Sequence, residues 1–72
     1  MDMQEFVTRI HQKNFGVVSF STYMQDDMNH CSIMIAEEGD TGRFFKRECP
    51  YYVLNNMLKS LIRDIDRLEE EK

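Results

Sequence analysis

The side chains with the most chemistry to offer in this 72-residue chain are His11, His30, Cys31 and Cys49. A structural zinc site draws such ligands together, usually from spacings like Cys-x2-Cys or His-x3-His. Neither spacing occurs here. His30 and Cys31 are adjacent, and on a strand adjacent side chains leave by opposite faces, so they do not share a metal. His11 lies about 100° around a helix from Ile10, toward solvent. No metal and no other cofactor is expected. The cysteines read better as small apolar side chains, the common role of a free thiol.

Nucleophilic catalysis needs a nucleophile, a base and an orienting group converging in a cleft. The candidates are Ser19, Ser21, Thr22 and His30, strung along one stretch of chain without a Gly-rich elbow. There is no GxxxxGK phosphate loop. Asp26 and Asp27 sit together in a polar break and read as a solvated turn rather than a catalytic pair. The chain is not expected to be an enzyme.

Thirteen acidic against nine basic side chains give a net charge of −4 and a pI near 5.0. That balance disfavours general binding to a phosphate backbone, which relies on clustered Lys and Arg. It suits docking on a basic partner surface. The carboxylates available for this are Asp26 and Asp27 in one loop and Glu37, Glu38 and Asp40 in another. The opening Met1–Phe15 is charged and amphipathic, unlike a signal peptide. No apolar run reaches the length of a membrane span. Two cysteines make no disulfide framework. A reduced, cytoplasmic protein is expected.

Five elements must position these residues, and 1–72 makes one domain. Met3, Phe6, Val7 and Ile10 recur at helical spacing, with Asp2 as a cap and Glu5 favoured by the dipole. This predicts a helix over residues 3–13, stopped by Asn14 or Gly16. Val17–Met24 alternates and is rich in β-branched and aromatic residues, a strand with Val18, Phe20 and Thr22 on one face and Val17, Ser19, Ser21 and Tyr23 on the other. After the turn at residues 25–29, His30–Glu37 alternates with Cys31, Ile33 and Ile35 inward. The loop Glu38–Gly42 suits a hairpin. Arg43–Cys49 is a third strand, in a register that sets Glu37 opposite Arg43, Ile35 opposite Phe45 and Cys31 opposite Cys49. A bridge between those cysteines is conceivable in oxidising conditions, and bridges between adjacent strands are readily reduced.

From Pro50, suited to a first helical turn, to about Glu70 runs the strongest signal in the chain. Leu54, Met57, Leu58, Leu61, Ile62, Ile65 and Leu68 form one apolar stripe. About twenty residues at 1.5 Å each make a rod of roughly 30 Å. The expected fold is α+β, in the order αβββα: a three-stranded antiparallel meander with two helices packed on one face. The rod outruns a sheet about 15 Å wide, so Ile62, Ile65 and Leu68 are expected to overhang and to bring two copies together as a homodimer. Glu69–Lys72 is expected to fray.

The same element order occurs in the double-stranded RNA-binding domain, a family in which a basic cluster opens the second helix. Here residues 50–56 carry no basic side chain, and only Arg43, Lys46 and Arg47 cluster. These three are the candidate nucleic-acid contacts of that alternative. Nucleic acid is therefore not the expected partner, and a protein is.

The opening run Phe6-Val7-Thr8-Arg9-Ile10-His11-Gln12-Lys13-Asn14-Phe15 resembles the start of small orphan proteins of phages and prophages. It is similar to the anti-CRISPR inhibitors of Listeria prophages, which share a small, acidic αβββα plan. The resemblance covers about twenty residues and the element order. It implies a non-enzymatic inhibitor or adaptor that binds a host nucleic-acid enzyme, with Asp26, Asp27, Glu37, Glu38 and Asp40 standing where phosphates would sit.

Overall fold

The computed structural model describes residues 1–70. Helix α1 spans Met3–Gln12, and strands β1, β2 and β3 span Phe15–Gln25, Met28–Glu37 and Phe44–Pro50. A 3-10 turn, Tyr51–Val53, leads into helix α2, Leu54–Glu70. The strands form one antiparallel sheet in the order β1-β2-β3. The fold is αβββα, of the α+β class.

Local chemistry explains the boundaries. The Asp2 side chain accepts a 2.7 Å hydrogen bond from the Glu5 N–H, closing the first turn of α1. Asn14, at φ 68°, stops the helix in the left-handed conformation that asparagine tolerates. Asp26 and Asp27, at φ 52° and 60°, form a two-residue turn whose twist matches that of the strands it joins. Gly39 and Gly42 take positive φ in the second connection. There the Glu37 N–H bonds the Arg43 carbonyl at 2.9 Å, and the register that follows pairs Ile35 with Phe45 and Cys31 with Cys49.

Two local expectations are corrected. Val17 pairs with Ile35 and Ser19 with Met34, which leaves Val18 without a partner in a β-bulge. The extra residue shifts the alternation. Val17 therefore joins Phe20 and Thr22 on the helix-facing side, while Val18 is 61% exposed. Pro50 does not open α2. It ends β3 in an extended conformation, φ −57° and ψ 142°, and proline is tolerated on such an edge strand. The helix begins at Leu54 and continues through Glu69 and Glu70. Glu71 and Lys72, also expected to fray, lie outside the described residues.

The core joins Phe6 and Ile10 of α1, Phe15 of β1, Cys31, Ile33 and Ile35 of β2, and Met57, Leu58, Leu61 and Ile65 of α2. Burying each large member stabilises the fold by about 1.5–3 kcal/mol. The helices run side by side in the same direction. The N-terminal amine meets Asn55 Oδ1 at 2.9 Å, and Lys13 pairs with Asp66. That carboxylate holds the Lys13 pKa above its ordinary value. On the face the helices cover, burial in β2 stops at Cys31 and in β1 at Val17.

Candidate interaction surface

The acidic residues do not come together. Asp26 and Asp27 occupy the tip of the β1–β2 hairpin. Glu37, Glu38 and Asp40 lie at the other end of the ten-residue β2, roughly 30 Å away. Glu37 is turned to Arg43 at 3.8 Å and Glu38 to His11 at 3.8 Å.

The basic residues are divided as well. Arg47 lies on the helix-facing side, 3.1 Å from Asp64 and 5.4 Å above the Phe45 ring. Lys46 is on the opposite face, paired with Met34, and Arg43 ends the loop beside Glu37. The three cations that cluster in the sequence are thus spread over two faces, and two of them are paired with carboxylates.

Cys31 and Cys49 are free thiols with their Sγ atoms 3.7 Å apart. Burial, with hydrogen bonding to Cys49, pushes the Cys31 thiol up to about 11. His30 leaves by the other face and stacks on Tyr23, ring centroids 5.7 Å apart. Ser19 and Ser21 share that outer face, while Thr22 faces the helix side. Among the described residues no three His, Cys, Asp or Glu side chains gather around a point.

The apolar end of α2 does not overhang. Ile65 is fully buried, and Ile62 and Leu68 pack half-buried against the core. Lys13 of α1 pairs with Asp66 there, and Phe15 lies beside Ile65 and Leu68, so of the three residues expected to self-associate only Ile62 and Leu68 keep part of their surface.

What is left uncovered lies at the hairpin end. Phe20 is 38% exposed, Met24 63% and Tyr52 77%, with Met28 and Tyr51 half exposed beside them. Asp27, Met28, Asn29, Tyr51 and Tyr52 line one hollow, and Thr22, Asn29 and Tyr51 line the next. Phe20 and Met24 stand with Thr22 on the helix-facing side, beyond the reach of the helices, while Met28 alternates with His30 onto the other face and shares its hollow with Tyr51 and Tyr52. Together they make the hairpin end an apolar shelf that wraps the sheet's margin. Sequence reasoning assigned Tyr51 and Tyr52 to a helix start and grouped Phe20 with Val18 and Thr22 without saying which face is covered. The Tyr-Tyr pair beside a proline was the available signal.

The shelf adjoins an open strand edge. From Asn14 to Gln25 there is no charged residue and no proline. The other edge, β3, carries Lys46, Arg47, Glu48 and Pro50, the residues that commonly guard an edge.

Comparison with family models, with curated proteins and with solved structures finds no match. No helix among the described residues is long and apolar enough to cross a membrane.

Proposed function

We propose that this chain is a non-enzymatic protein-binding module that engages its partner with the hairpin shelf. The observation that carries this is the exposed set Phe20, Met24, Met28, Tyr51 and Tyr52. Aromatic residues and methionine are the types enriched at interface centres. Tyrosine supplies a large rigid contact at small entropic cost, and methionine adapts to irregular partners. The scattered carboxylates and divided cations support neither a phosphate mimic nor a phosphate clamp of comparable extent.

A finer form of this reading follows the phage-inhibitor resemblance: the partner is a host nucleic-acid enzyme whose activity falls when the module binds. The cytoplasm is the compartment that reading requires.

Affinity capture from nuclease-treated lysate of the source cell tests the proposal. A specific protein should bind the wild type and lose roughly tenfold or more in affinity to a Met28→Ser/Tyr52→Ser variant, as loss of an interface centre does. Lys46→Glu should leave capture unchanged. Equal capture by wild type and shelf variant contradicts the reading. So does tight nucleic-acid binding that falls steeply with salt and is lost in Lys46→Glu.

A further inference from the structure

We infer that the open edge of β1 is a self-pairing surface, on which a second copy of this chain adds its own β1 antiparallel to make a six-stranded sheet. The inference rests on the protein-binding reading and names one partner for part of the same surface.

Backbone geometry defines the surface. A two-residue turn makes Gln25 and Met28 a hydrogen-bonded pair. By alternation Tyr23, Ser21 and Ser19 also bond toward β2, and Phe20, Thr22 and Met24 turn their N–H and C=O groups to the free edge. Those three residues also carry the side chains on the helix-facing side that no helix covers. Edge and uncovered face therefore coincide.

The register is set by the strand's own limits. The bulge at Val18 ends the straight run on one side, and the Asp26–Asp27 turn ends it on the other. The run Ser19–Gln25 has its midpoint at Thr22. Pairing it with a copy of itself sets Thr22 against Thr22 on a two-fold axis and Phe20 against Met24 on either side. All three facing pairs are then hydrogen-bonded ones, and each exposed apolar side chain meets another. With no charge on the strand, two copies of a −4 chain meet there without like-charge contacts. The guarded β3 edge disfavours head-to-tail growth, so the assembly closes at two. Two short strands and four apolar side chains make a small interface, below about 1,200 Å², where weak complexes lie. The dimer forms in the micromolar range.

Sedimentation across a dilution series tests this on the full chain. The mass should move from 8.6 kDa to twice that value as concentration rises through the micromolar range. Thr22→Lys, which sets two cations face to face on the axis, should hold the chain monomeric with its circular dichroism unchanged. Lys46→Glu should dimerise as the wild type does. In a sample mixing isotope-labelled and unlabelled chains, a magnetisation-transfer contact between the Phe20 ring and the Met24 methyl should appear. Within one strand these residues stand about 13 Å apart, so only the copy can give it. A wild type monomeric into the millimolar range overturns the inference. So does a dimer that survives Thr22→Lys and is broken by Leu68→Glu. A monomer that still captures a protein through Tyr52 sinks the self-pairing alone, whereas loss of capture sinks the module reading.

Discussion

At the scale of single residues, Cys31 shows how burial converts a reactive group into a packing unit. Its thiol is held up to about 11 against an ordinary 9.0. It should therefore resist an alkylating reagent at pH 8 in the folded protein and react once the chain is unfolded; rapid labelling of Cys31 in the native state would contradict its placement. The pH dependence has a definite sign. The folded state holds this proton more tightly than the unfolded state, so the stabilisation is complete below about pH 9 and is lost as pH rises toward 11. Urea midpoints should fall over that window more in the wild type than in Cys31→Ala, which has no thiol to ionise. Core residues such as Leu61, fully buried, should lose about 2–5 kcal/mol on truncation to alanine, read from the same unfolding curves.

At the scale of elements, the hairpin turn carries a measurable cost. Asp27 sits at φ 60°, where a side chain costs roughly 1–2 kcal/mol. Glycine removes that strain but brings back about 0.5–1 kcal/mol of chain entropy. Asp27→Gly should therefore stabilise the protein by about 0.5 kcal/mol or slightly more, and a destabilised variant would mean that Asp27 has a role beyond the turn. Periodicity made α1, β2 and α2 legible, since each has one apolar face and a single spacing. The β2–β3 register was legible too, because the Gly-bracketed loop set Glu37 against Arg43. The bulge was not, because Val17 and Val18 suit a strand equally well and only their partners on β2 show which is extra. Pro50 was misplaced for a related reason: the residue fits a first helical turn and the end of an edge strand alike. The shelf escaped notice because exposure depends on how far a helix reaches over a neighbouring strand, which no local pattern states.

For the whole molecule, the deciding fact is an imbalance of cover. The longest axis is 42 Å against 22 and 21 Å across, and the apolar core occupies only the part where both helices lie over the sheet. The rest of the hairpin has an uncharged edge and exposed Phe, Met and Tyr side chains, surface of the kind that marks an interaction site. Hydrogen exchange at individual β1 amides tests this most directly. In dilute protein the amides of Ser19, Ser21 and Tyr23 should be protected through β2 while those of Phe20, Thr22 and Met24 exchange rapidly; at high concentration, where β1 pairs with its copy, the second set should become protected. Protection of Phe20, Thr22 and Met24 already in the dilute monomer, or their continued rapid exchange at high concentration, would contradict the account.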